Sequence, residues 1–343
     1  MPESTVPAPA APLDPIDRQI IAALQVRPRA SWSTIAQVLG VPDRSVARRG
    51  NELIESGRAA VVGVTGPSRT ALAFIRTPPN STRSVLAGIA GRADCVFAYA
   101  LTGDWQIVAE HRVDDSELAA LVLDELPTVA GVARMSLARV TRVYRSVREW
   151  IPDVLTADQR SALGGPPGQR PRVVPESPVA ATVVSVEPDI TDADRALLRL
   201  LAEDGRTPAA QLAARTRLSE NTVRRRLGWL ETHHYSRLRV VVEPAALGFP
   251  SEAIVRVSAP PRLAGELIAA LLTHSEVRYL AALGSDADLL VHLACRNNEH
   301  LHDLVSRSPW CALAHTIEVD HLLVAEKRSG RLRRADRRGR GLY

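Results

Sequence analysis

The stretch DRSVARRGNEL (43–53) returns as ENTVRRRLGWL (220–230), 177 positions later with no gap. The two halves around these stretches match along their length, so whatever unit one half forms, the other forms too. The Pro/Ala-rich residues 1–12 read as a disordered start. Residues 151–189, with seven prolines and the run GGPPGQRPR, read as a linker holding a short helix near 156–163. At 343 residues the chain is long enough for several domains with cores of their own.

Each half opens with a capped amphipathic helix. Asp14, Pro15 and Asp17 supply an N-cap, a proline at the first helical position and an early acid; Thr191, Asp192 and Asp194 do much the same. Ile16, Ile20, Ile21 and Leu24 line one face of the first, and Ala193, Leu197, Leu198 and Leu201 are their counterparts. A short second helix (STIAQVLG, then AAQLAART), a tight turn and the basic stretch complete a helix-turn-helix in each half. VVGV (61–64) and LRVVV (238–242) read as a wing strand or as the strand leaving the head.

The rest of each half reads strand–helix–strand–strand–helix–strand. The spans are 70–77, 81–92, 94–102, 105–113, 115–125 and 132–145, then 251–259, 261–274, 276–284, 287–295, 297–307 and 312–326. This is the split βαβ, or ferredoxin-like, unit, which leaves one sheet face bare; here the chain supplies a second sheet to cover it. The expected fold class is α+β: winged helix-turn-helix heads at 13–65 and 190–243, and ferredoxin-like domains at 66–150 and 244–326. A basic tail at 327–343 follows.

The net charge of +5 is unevenly placed: the tail carries eight Lys/Arg against one Asp, which leaves −2 for the other 326 residues. Local contact with a polyanion fits this better than a generally sticky surface. The tail either wraps a phosphate backbone or is a solubilising extension. Three scattered cysteines, Cys95, Cys295 and Cys311, make no disulfide framework, and with no signal peptide or spanning segment in the sequence they point to the cytoplasm.

LDPIDRQIIAAL, TIAQVLGVPDRSVARR and LTGDWQIVAE in the first half resemble the Lrp/AsnC family of feast/famine regulators. So do ITDADRALLRLL, RTPAAQLAARTRLSENTVRRRLGWLE and PAALGFP in the second. The likeness covers roughly 13–148 and 190–326. It implies binding of double-stranded DNA through the helix-turn-helix heads and self-association through the sheets. That pairing is met here within one chain, with homo-oligomers built on it. It also implies an amino acid effector between sheet domains.

A helical wheel places Val46, Gly50 and Leu53 inward and Arg44, Arg48 and Asn51 outward, with Ser45 on a flank. In the second head Val223, Leu227 and Leu230 point inward, Asn221, Arg225 and Gly228 outward, and Thr222 and Arg224 to the flanks. Arg and Asn bond guanine and adenine edges bidentately, while flanking Ser, Thr and Arg suit phosphates. The plainer alternative is an ordinary solvated helix face. Arg49 and Arg226 sit at the core edge, their stems over apolar side chains and their heads reaching a backbone. Because the outward sets differ, one chain is expected to read two unlike half-sites. Gly50 leaves a gap where the second head has Leu227, and Trp32, opposite Ala209, is the residue placed to fill it.

Thr102, Gly103 and Asp104, and Gly284, Ser285 and Asp286, stand at the turn between the second and third strands of each sheet. The resemblance makes these turns, with Asp288, the border of the effector pocket; the alternative is a plain hairpin turn. Gln106 stands where Asp288 keeps an acid, which favours the second half for effector. His292, Cys295, Cys311 and His315 look superficially like a metal set. On a strand, however, 292 and 295 point to opposite faces, so neither metal nor cofactor is expected. No catalytic motif is found, and the chain is not expected to be an enzyme. Two other readings remain. Sirohaem decarboxylases reuse this frame, but VFAYALTGDWQIVAEHR and VRYLAALGSDADLLVHLA lack their His/Tyr/Arg-rich strands. A low-specificity DNA-organising protein is the other.

Overall fold

The computed structural model describes residues 13–65, 69–164, 190–233, 235–335 and 341–342. The disordered start expected at 1–12 and residues 165–189 of the expected linker lie outside them. In the first head, α1 (Pro15–Val26) starts at Asp14, whose carboxylate accepts from the Ile16 N–H at 2.8 Å. α2 (Trp32–Leu39) starts at Ser31 and stops at Gly40, whose φ of +67° suits glycine. α3 (Asp43–Glu55) and β1 (Ala59–Thr65) follow. The first sheet unit is β2 (Thr70–Arg76), α4 (Thr82–Gly91), β3 (Cys95–Leu101), β4 (Ile107–Arg112), α5 (Asp115–Ala120) and β5 (Arg134–Arg145).

A short α6 (Ala157–Ala162) precedes the second head, which comprises α7 (Asp192–Glu203), α8 (Ala209–Thr216), α9 (Glu220–Thr232) and β6 (Ser236–Val242). Thr191 caps α7 in a capping box with Asp194. The second sheet unit is β7 (Ser251–Ser258), α10 (Ala264–Thr273), β8 (Val277–Gly284), β9 (Leu289–Cys295), α11 (Asn298–Ser306) and β10 (Thr316–Arg328). Among the described residues no helix is long and apolar enough to cross a membrane.

Within each unit the strand order is the same: β3-β4-β2-β5 and β8-β9-β7-β10. β5 then pairs with β8, and β10 with both β7 and β3, all antiparallel, so the eight strands close into a ring. Each unit's last strand completes the other's sheet. Leu72, Phe74, Tyr99, Ile254, Tyr279 and Leu290 fill the space inside, and the helices cover the outside. The closed pairing leaves β11 (Arg331–Leu332) as a short addition to β10.

β1 and β6 pair with each other along their whole length, Ala59 with Val242 through Thr65 with Ser236. They are therefore exit strands shared between the heads, which decides between the two roles the sequence left open. The expected linker needs correction too. Trp150, Leu155 and Leu163 are buried in the core of the first head, so 151–164 is packed structure rather than tether. Apolar residues at 150, 155 and 163 outweigh the local proline signal because they remove large side chains from water.

Candidate nucleic-acid interface

α3 buries Val46, Gly50 and Leu53 and exposes Arg44, Arg48 and Asn51, with Ser45 half-buried. α9 buries Val223 and Leu230, packs Leu227 on the same core, and exposes Asn221, Arg224 and Arg225 beside a half-buried Thr222. Three-to-four-residue spacing of the apolar positions produces this sidedness. Arg48 pairs with Glu52 at 2.7 Å and Arg224 with Glu220 at 3.0 Å, both one turn apart on open surface. Such exposed pairs are worth about 0.3–0.5 kcal/mol, so a phosphate or base edge can displace the glutamate. Arg44 and Arg225 have no side-chain hydrogen bond or ion pair among the described residues. Each head thus offers guanidinium groups on one exposed face.

Three residues expected to reach DNA, Arg49 and Arg226 from the core edge and Asn51 from the outward face, are engaged within the heads. Arg49 donates to Asp17 at 2.9 Å and lies 3.4 Å from Asp14, tying α3 to the start of α1. Arg226 does the same in the second head, its Nε donating to Asp194 at 2.7 Å and its guanidinium lying 4.5 Å over the Trp229 ring. Burial alone would raise the Asp194 carboxyl, but bonds from Arg226 and Thr191 outweigh it and hold it below its ordinary value. Both arginines act as internal braces, because an acid from the first helix lies within reach. Asn51 is held as well: its Oδ1 accepts from the Trp32 indole N–H at 3.0 Å. An indole nitrogen only donates, so the amide oxygen must face Trp32 and the NH2 group outward. That orientation does not suit the bidentate adenine contact.

Trp32 itself fills the space at Gly50: a Cβ there would lie 2.6 Å from two ring carbons. The Arg206 guanidinium of the second head lies 4.3 Å from the centroid of the same ring.

The first sheet turn is likewise engaged within the fold. Thr102 exchanges bonds with His321, its N–H donating to the His321 carbonyl at 3.0 Å and its Oγ1 accepting from the His321 N–H at 2.9 Å. Asp104 pairs with Arg76 at 2.7 Å. Gly103 lies against the Asp320 carboxylate, leaving no room for a Cβ. In the other turn Gly284 pairs with Arg139 of β5 in the strand register, and Ser285 donates to the Ala287 carbonyl at 3.3 Å. Asp286 lies beside them in the same bend. Asp288 accepts from the Ala259 N–H at 2.8 Å, and Gln106 accepts from the equivalent Thr77 N–H at 3.0 Å. Acid and amide do one job here, so the difference between them gives no preference for the second half as an effector site.

Several groups inside the ring form a bonded network that the sequence did not reveal. Arg328 donates to Glu252 at 2.6 and 3.0 Å and to Glu243 at 3.1 Å, and His292 bonds Glu252 at 2.9 Å. Burial pushes His292 down to about 4, so it is neutral near pH 7. Tyr279 donates to Glu110 at 3.2 Å. Cys295 faces the opposite, helix-covered side, as the strand alternation requires. Arg328 also corrects the tail: with Lys327, whose Nζ donates to the Arg92 carbonyl at 2.7 Å, it belongs to β10 and the interior. Residues 336–340 and Tyr343 of the tail lie outside the described residues.

The chain matches the AsnC-type helix-turn-helix domain twice, at 13–54 and 190–231. It is 25% identical over 134 residues to the HTH-type transcriptional regulator FL11 of Pyrococcus abyssi, covering 38% of this chain and 89% of that protein. With the HTH-type transcriptional regulator LrpA of Pyrococcus horikoshii it shares 28% over 118 residues, 34% of this chain and 84% of that one. Across nearly the whole chain it superposes on the crystal structure of the siroheme decarboxylase NirDL, with a TM-score of 0.59 at 12% identity. The match covers 92% of this chain and 93% of that one, a likeness of fold alone. Relatives the size of one half, and two matches of the same head domain, lead to one statement: the chain carries the AsnC-type helix-turn-helix domain twice, in a unit that is similar to Lrp-type regulators and is duplicated in tandem.

Proposed function

We propose that the protein is a sequence-specific DNA-binding regulator of transcription, in which α3 and α9 read two unlike half-sites. The observation that carries this is the pair of exposed arginine faces on the third helix of each head. Arg44, Ser45 and Arg48 contact DNA on one side, Asn221, Thr222, Arg224 and Arg225 on the other. Asn51 contributes as a donor, and Arg49 and Arg226 brace the helices. The test is selection of bound duplexes from a random pool, repeated with a panel of amino acids to register an effector at the sheet turns. Enrichment of one asymmetric site supports the reading; equal binding of all duplexes would mean a general DNA-organising protein. Likeness to a siroheme decarboxylase is one of fold, and the interior Tyr, His and Arg groups are bonded to Glu110 and Glu252. Decarboxylation of sirohaem by the purified protein would overturn the regulator reading.

A further inference from the structure

Arg29 and Arg206 occupy matching places, in the turn between the first two helices of their heads. Arg29 Nη1 and Nη2 donate to the carbonyl oxygens of Gly205 and Thr207 at 3.2 and 2.8 Å. Arg206 Nη1 and Nη2 donate to those of Pro28 and Ala30 at 2.8 and 3.1 Å. Each guanidinium therefore forks onto the two carbonyls flanking its counterpart. Ala30, Gly205 and Thr207 are buried, so their carbonyls are poorly served by water if the fork opens. Arg206 also lies over Trp32, whose ring rests on Gly50 of α3. In the second head the place of Trp32 belongs to Ala209, so only one reading helix is wedged against the opposite head.

The β1–β6 ribbon joins the heads as well, with Val240 and Val242 in the first head's core and the Gly205 N–H donating to the Val61 carbonyl at 2.8 Å. The turns that carry α2 and α8 add a second contact outside the ribbon's strand pairing. We propose that the Arg29–Arg206 clasp, with Trp32 as its wedge, fixes the separation of α3 and α9 and so sets the half-site spacing the protein accepts. This rests on α3 and α9 being the DNA-reading helices.

Lysine keeps the charge but cannot fork to two carbonyls, so Arg29→Lys with Arg206→Lys opens the clasp without removing cations. Spin labels at Ser33→Cys and Ala210→Cys, both exposed, report head separation in the full chain with Cys311→Ser in the background. The distance distribution should be narrow in the parent and clearly broader in the lysine double variant. On duplexes carrying the selected half-sites, a spacing change of about 5 bp, half a helical turn, should weaken the parent at least ~10-fold and the variant less than ~3-fold. An unchanged distance distribution, or a spacing profile as sharp as the parent's, overturns the proposal. Arg29→Ala with Arg206→Ala should behave like the lysine pair; normal spacing discrimination there would be equally fatal. If no duplex is selected by the parent, DNA reading fails and the spacing role falls with it, while the label distances still show whether the clasp holds the heads.

Discussion

The two heads share a plan and differ in how each solves its packing. In the first, Gly50 and Trp32 stand where the second has Leu227 and Ala209. The first core also takes in Trp150, Leu155 and Leu163 from beyond the first sheet, and Val240 and Val242 from the opposite exit strand. The second relies on Leu197, Leu201, Leu212, Val223 and Leu230, with Trp229 stacked on His233 and on Tyr235. Capping is traded as well: Ser31 caps α2 while α3 follows Pro42 uncapped, whereas α8 follows Pro208 uncapped and Ser219 caps α9. Gly40 turns the first head at φ +67°; Arg217 does so in the second at +56°, which costs a side chain about 1 kcal/mol. The first head does without the core leucine because Trp32 of its own α2 fills the space at Gly50.

The heads differ most in how deeply their braces are buried. Asp194→Asn should destabilise the second head by about 3 kcal/mol in urea unfolding, since it leaves Arg226 without its buried partner. Asp17→Asn should cost about 1 kcal/mol, because Arg49 keeps Asp14 within reach and Asp17 is less buried. Equal losses would mean the braces are not graded by burial. The Asp194 carboxyl is held below its unfolded value, so its contribution is fully present above that value and is lost as pH falls through the lower, folded one. Acid titration of stability should therefore flatten in the Asn variant.

Next comes the wedge. Gly50→Leu drives a side chain into the Trp32 ring and should cost about 2 kcal/mol, most of it recovered when Trp32→Ala is added. A double variant no better than the single would show that Trp32 is not what fills the site. On DNA, Arg48→Ala and Arg225→Ala should each weaken the selected site by about 1.5 kcal/mol, each at its own half-site, with folding intact. Footprints that change at the same half-site in both would remove the distinction between the heads. The smallest effect belongs to the tail: deleting 336–343 should slightly flatten the salt dependence of binding, and it spares Arg328. Deleting from 327 would instead remove an interior ion pair.

Much of this was legible locally. Caps at Asp14 and Thr191, apolar spacing along the first helices, and strand alternation in both sheet units are properties of neighbouring residues, and the folded elements fall close to the expected spans. Trp32 against Gly50 could be found because the repeat itself flagged both departures. The candidate interface was legible only in part. Arg48 and Arg49 are adjacent in sequence, yet one faces water and the other an acid 32 residues away.

By itself, then, the sequence determined the repeat, the order of elements and the basic faces of α3 and α9, since periodicity and capping act within a few residues. Tertiary structure decided which arginines remain outside, that Asn51 holds Trp32, that β1 and β6 pair with each other, and that Lys327 and Arg328 are interior. Each of these depends on a partner brought close by folding rather than by local order. Arg206 meets Pro28 and Ala30 from 178 and 176 residues away, and Arg328 meets Glu252 across 76. Closing such contacts is a matter of topology, which no local pattern encodes.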